Sequence, residues 1–253
     1  MRLEIDIGSE AGAGAIQALD LGALGRDDYL NLILQRSEVL FDRPRAGQVI
    51  RAWEQGDLGP ILAEVDRLGD AIARRAAGVI AAETRAILPL LRDLAPRRIA
   101  DIGCGYAFFD LFAARDLGAS LLLIDLESND LRAFGFKPEG AAYSSLAVAQ
   151  ALLQANGIAP AAIETLNPRD RAPETAGPVD LVVSFLSCGF HYPVDSYLPF
   201  LEQALSPGGA AIFDLRETTA AEQAQKLAAF GTLTDLPAPP KARRVLLRKG
   251  GLA

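Results

Sequence analysis

The chain has 253 residues, half of them apolar, which is enough for one substantial core and far from a disordered composition. A formal net charge of −7 argues against a general nucleic-acid or anionic-membrane surface, since both select for positive charge. Two cysteines make no disulfide framework. No apolar run nears the ~20 residues that cross a bilayer, and MRLEIDIGSE lacks the basic and apolar regions of a signal peptide, so a reducing cytoplasm is the expected location.

Residues up to about 25 are rich in glycine and alanine, and the segment GSEAGAGA reads as a loosely packed arm. From Asp27 to about Leu94 the apolar residues fall at helical spacing, among them Leu30, Ile33, Leu34, Ile61, Val65, Leu68 and Ile72. Pro44 and the GDLGP stretch divide this preface into about three helices, with Asp57 as a candidate cap. Three roles stay open for it: covering a ligand cleft, pairing copies of the chain as a homo-oligomer, or packing on a sheet.

After Pro96 strands and helices alternate, the texture of a parallel sheet covered on both faces. Strands are expected at Arg98–Ile102, Ser120–Ile124, Ala162–Leu166, Val179–Phe185 and Ala210–Leu215, with two more near Thr232–Leu236 and Arg244–Leu247. Helices are expected at Ala107–Leu117, Tyr143–Asn156, Tyr197–Leu205 and Thr219–Phe230. Lys241, Arg243, Arg244, Arg248 and Lys249 around the last strand read as the charges of a solvated edge, with contact to an anionic substrate as the other reading. The organisation is therefore an arm and helical extension over residues 1–95, then a ligand-binding domain over 96–253.

The most informative run is RRIADIGCGYAFFDLFAARDLGASLLLID, Arg97 to Asp125. Gly103 and Gly105 follow the first strand where the chain must turn sharply and expose bare backbone. Asp125 ends the second strand, the place from which a carboxylate reaches a ribose. Dinucleotide enzymes share this plan, but their third small residue is here the bulky Phe108, and Asp101 stands where they keep an apolar side chain. Both departures point away from a dinucleotide.

Asp101, Gly103, Gly105 and Ala107 form a D-x-G-x-G-x-A run. With Asp125 and the late turn LSPGGAAIFDL, they make the chain resemble the class I S-adenosylmethionine-dependent methyltransferases. The resemblance covers Arg97 to the C-terminus. It implies a Rossmann-like, mostly parallel seven-stranded sheet with an antiparallel last strand, and S-adenosylmethionine as cofactor. It also implies that Gly103 and Gly105 approach the amino-acid tail and ribose, that Asp125 holds the ribose, and that Leu126 lies against adenine. Asp101 would orient the loop near the cationic end.

Ligands bind where strand order reverses in such sheets, so the segment after the fourth strand, Ser187 to Tyr192, should face the reacting atoms. It holds His191, the single histidine, a candidate base for an acceptor hydroxyl or a residue that only positions the acceptor. Phe190 and Tyr192 are candidates for stacking on a small-molecule acceptor. The pattern SFLSCGFHYPVDSYL is similar to a group of sugar O-methyltransferases in that family. No metal is expected, because His191 has no partner ligands at metal spacing. Two other readings of the same fold are a non-catalytic binding or assembly protein and an NAD-dependent oxidoreductase.

Overall fold

A computed structural model describes residues 2–127 and 144–250. The chain opens with six α-helices: α1 (Ile7–Gly12), α2 (Gly14–Gln17), α3 (Arg26–Gln35), α4 (Ala46–Glu54), α5 (Gly59–Leu68) and the long α6 (Ala71–Leu94). Strands β1 (Arg98–Ile102), β2 (Ser120–Ile124), β3 (Ile163–Leu166), β4 (Val179–Ser184), β5 (Leu205–Arg216), β6 (Gly231–Leu236) and β7 (Ala242–Lys249) follow. Between them run α7 (Phe108–Leu117), α8 (Leu146–Ala155), α9 (Leu198–Gln203) and α10 (Ala220–Ala228). The expected start of α8 at Tyr143 lies outside the described residues. No helix among the described residues is long and apolar enough to cross a membrane.

The strands form one sheet in the order β3-β2-β1-β4-β5-β7-β6. β1 to β5 pair in parallel and β7 runs antiparallel to both its neighbours, which is the Rossmann-like seven-stranded arrangement. Strand order reverses at β1, which pairs with β2 on one side and β4 on the other.

The period of two along the strands sorts the core into two layers. Ile99, Leu121, Leu123, Val183, Ile212 and Leu246 pack toward the N-terminal helices, while Ala100, Ile102, Leu122, Val182, Phe213 and Val245 pack toward α9 and α10. By the same alternation Asp101, Asp214 and Arg244 project on the helical side. That places three ionisable side chains under the N-terminal helices, and the site grows from them.

Two expectations need correction. The arm is packed: Ile16, Leu19, Leu21 and Leu24 are buried in the first core layer. Asp6 caps α1 by accepting from the Ser9 N–H at 3.0 Å, and α1 sits on α6 so closely that a Cβ on Gly78 would lie 2.8 Å from the Ala11 nitrogen. The glycine-alanine composition that suggests looseness serves close helix contact instead.

The basic strand near the C-terminus is no edge either. β7 is flanked by β5 and β6, Arg244 is buried, and Arg243 pairs with Asp235 across the β6–β7 ladder at 2.9 Å. Lys249 donates to the carbonyls of Leu201, Glu202 and Leu205.

Candidate functional site

β1 ends at Ile102 and the chain turns through three left-handed residues, Gly103 (φ 75°), Gly105 (φ 58°) and Ala107 (φ 57°). The turn is stitched to β2. The Gly103 N–H donates to the Ile124 carbonyl at 2.7 Å, and Asp125 accepts from the N–H groups of Gly105 at 2.8 Å and Leu126 at 2.7 Å. Both Asp125 oxygens are thus engaged with backbone, each with a further lone pair to offer. Burial pushes this carboxyl up to about 6 against the lowering effect of the Gly105 N–H.

The missing side chains at the two glycines have neighbours in their place. A Cβ on Gly103 would collide with the Ser187 side chain, and one on Gly105 would sit 3.1 Å from the Gln35 Oε1. Tyr106 ties the same loop to α3: its hydroxyl donates to Asp28 at 2.7 Å and accepts from Asn31 at 2.9 Å.

Asp101 is nearly inaccessible, and it interacts with Asp110 from the first turn of α7. Asp101 Oδ1 and both Asp110 carboxyl oxygens are buried with no hydrogen bond donated to them. Burial first, and then for Asp101 the neighbouring charge of Asp110, hold both carboxyls well above the ordinary carboxylate range.

The segment after β4 crosses above the strand ends. Ser184 donates to the Ile102 carbonyl at 2.8 Å and accepts from the Cys188 N–H at 2.9 Å, anchoring β4 and the segment to β1. Leu186 takes a left-handed conformation (φ 51°), where a branched side chain is strained. The Phe190 and His191 N–H groups then close a turn on the Ser187 carbonyl at 3.0 and 2.8 Å. Gly189 has no room for a side chain: a Cβ there would lie 2.6 Å from Leu215.

These parts enclose one cleft with about 1020 Å³ of empty space, its open mouth included. Asp101, Gly103, Gly105, Asp125, His191 and Tyr192 all line it, and Leu126 and Phe190 do not. Phe190 packs under the Arg216 guanidinium at 4.4 Å and makes a T-shaped contact with His191 at 5.1 Å, so a cation already lies over one face of the ring proposed for stacking. The Tyr192 hydroxyl lies 3.3 Å from the Ser187 hydroxyl. Asn167 and Asp170 brace their own loop, with Asn167 accepting from the Arg169 N–H at 3.0 Å and from the Asp170 N–H at 3.0 Å.

The N-terminal helices supply the opposite wall through Leu34, Gln35 and Arg36 and, from α6, Ile80, Glu83, Thr84 and Ile87. Arg36 grips Glu83 with two hydrogen bonds of 2.8 and 3.0 Å, both side chains nearly buried. Arg244 grips Asp214 in the same way at 2.7 and 2.8 Å and approaches Glu83 at 3.7 Å. Burial would raise Glu83, but Arg36 and Arg244 outweigh it and keep the carboxyl below its ordinary value.

Sequence reasoning missed Asp110, Gln35, Tyr106, Arg36 and Glu83, and saw Arg244 only as one of several charges in a basic tail. For Asp110 a signal existed, a lone acid inside the apolar segment FFDLFAA. For the others no local pattern marks them. Among the described residues no group of His, Cys, Asp and Glu is arranged to hold a metal ion.

No protein-family model matches the chain, and no curated protein matches it in sequence. Solved structures do match. A Nostoc punctiforme protein described as an O-methyltransferase is 17% identical over 71% of this chain and 59% of that one, with TM-score 0.47, so the chain spans less than two thirds of its length. The O-methyltransferase TomG of Streptomyces achromogenes, solved with SAM, is 18% identical over 66% and 80%, with TM-score 0.45. A ribosomal protein L11 methylase from Lactobacillus delbrueckii is 22% identical over 66% and 79%, with TM-score 0.48.

Proposed function

We propose that the chain is an S-adenosylmethionine-dependent methyltransferase acting on an oxygen of a small hydroxylated acceptor such as a sugar. The observation that carries this reading is the meeting of two segments in one cleft at the reversal point of the sheet. Asp101, Gly103, Gly105 and Asp125 come from the ends of β1 and β2, and His191 and Tyr192 from the segment after β4.

The residues suit a cationic nucleoside. Asp101 offers a buried, unpartnered oxygen near the loop, and Asp125 retains lone pairs for a ribose diol. At Gly105 the nearest atoms to the missing Cβ are the amide end of Gln35, the tip of a long side chain and not backbone. Phe108 fills the start of α7 where a pyrophosphate would need open backbone, which disfavours NAD. Bound there, the cofactor supplies an electrophilic methyl group.

The chain's own work is then alignment and one proton. His191 lines the cleft and, as a neutral imidazole, accepts the proton of the acceptor hydroxyl. Tyr192 and Ser187 hold the acceptor beside it. The N-terminal helices narrow the cleft and exclude water.

Calorimetry with S-adenosylhomocysteine and with NAD tests the reading: binding of the first and not the second is expected. Asp125→Asn should weaken S-adenosylhomocysteine about 10- to 100-fold, the worth of a charge-assisted hydrogen bond. Because the ionised carboxylate is the better ribose partner, wild-type affinity should rise with pH through about 6 and that rise should vanish in the variant. His191→Ala should cut turnover about 10²- to 10⁴-fold at neutral pH, and full turnover at neutral and high pH alike would exclude a base role.

A further inference from the structure

We propose that the end of the cleft formed by Arg36 and Arg244 binds a carboxylate, so that the methyl acceptor is a hydroxylated acid. Calling the ligand a methyl acceptor rests on the functional reading above; the anion site itself does not.

Arg244 lies on an interior strand with its side chain wholly buried, yet it lines the cleft. Its Nε and Nη2 are spent on Asp214, while Nη1 is buried with no hydrogen-bond partner. The Phe185 ring lies 4.6 Å from the guanidinium carbon. Such a ring covers the face of the cation, whereas its N–H bonds point outward in the plane, so the contact leaves the Nη1 hydrogens unclaimed. A charged donor left unpaired just behind the wall of a cavity is a group that an oxygen acceptor completes once the covering side chains give way.

Where in the cleft an acceptor oxygen is preferred follows from which end offers a spare donor. At the glycine-loop end the ionisable groups are Asp101, Asp125 and, behind them, Asp110, carboxyls that offer an anion no cationic donor. At the β7 end Arg36 is shared between Glu83 and Glu38 and Arg244 is gripped by Asp214, which leaves Nη1 as the spare donor. A carboxylate presents two acceptors and a charge to that donor. The matching primary amide loses the charge and turns a donor of its own toward the wall in one of its two orientations.

The test is calorimetry on the full chain with 4-hydroxybenzoate and 4-hydroxybenzamide, each with and without S-adenosylhomocysteine. The acid is expected to bind at least about tenfold tighter than the amide, the margin a charge-assisted hydrogen bond holds over a neutral one. Arg244→Lys keeps the charge but loses the fork, and the preference should shrink severalfold. Equal binding of the two probes, or no binding of the acid, overturns the proposal.

If Arg244→Lys does not fold, wild-type crystals soaked with 4-bromobenzoate locate the site through the bromine. A carboxylate at Nη1 supports the proposal, and one held elsewhere overturns it. Acid preference without S-adenosylhomocysteine binding would sink methyl transfer and leave the anion site standing.

Discussion

At the glycine-loop end of the cleft, Asp125 takes its hydrogen bonds from backbone, while Asp101 and Asp110 are buried against one another without a donor to Asp101 Oδ1 or to either Asp110 oxygen. At the β7 end, Arg36 and Arg244 each meet a carboxylate through a two-pronged fork, equally far from water. One end keeps its charges down by holding protons, and the other keeps them by pairing. The first costs stability whenever the protons leave, whereas the second costs stability whenever a partner is removed. A cation entering the cleft relieves the first end, and an anion completes the second.

The sharpest way to break this contrast is to remove one charge from the paired end. Glu83→Gln leaves the buried Arg36 with only the exposed Glu38 as counter-ion and also takes a neighbour from Arg244. Losing one member of a buried pair is expected to destabilise the fold by about 3–5 kcal/mol, read from urea unfolding near neutral pH. A loss within the error of the extrapolation would mean that Glu38, 3.2 Å from Arg36, carries the charge balance instead.

The same substitution class at the other end should act with the opposite sign. Asp110 has a folded-state value above its unfolded one, so the folded chain holds a proton that the unfolded chain releases. Stability then falls as pH climbs from the unfolded value to the folded one, and the full penalty persists above it. Asp110→Asn removes the penalty and can donate to Asp101. It should therefore stabilise the fold by about 1–2 kcal/mol near pH 8 and make little difference below pH 4. A destabilised variant at pH 8 would show that Asp110 is ionised and needed as an anion.

The two ends also differ in how much of them the sequence reveals. The glycine-loop end is built from one continuous run, so Asp101, Gly103, Gly105 and Asp125 announce themselves by order and spacing. The strand pattern from β1 to β5 is legible for the same reason, because a parallel strand covered on both faces is an unbroken apolar run. The β7 end is assembled from residues 36, 83, 214 and 244, which share no local period. Arg244 even misleads, since a basic strand near a terminus has the composition of a solvated edge. Its burial follows from β6 closing the sheet outside it, a fact of topology that no window of sequence contains. The N-terminal arm fails for a related reason: Gly78 and Ala11 of α1 register close helix contact only when the partner helix is in place.

The smallest predicted effect bears on the one motif position that departs from glycine. Ala107 is left-handed, which costs an L-residue about 1–2 kcal/mol, and it is buried in the layer shared with the N-terminal helices. Changing it to glycine removes that strain but surrenders a buried methyl worth about 0.8 kcal/mol and adds about 0.5–1 kcal/mol of unfolded-chain entropy. The terms nearly cancel, so Ala107→Gly should shift stability by less than about 0.5 kcal/mol, whereas Ala113→Gly, inside α7 and equally buried, has no strain to release and should cost about 1–2 kcal/mol. Unfolding midpoints at unchanged m decide it. Equal losses in the two variants would mean that Ala107 is not held left-handed, and the turn that presents Gly103 and Gly105 to the cleft would need another cause.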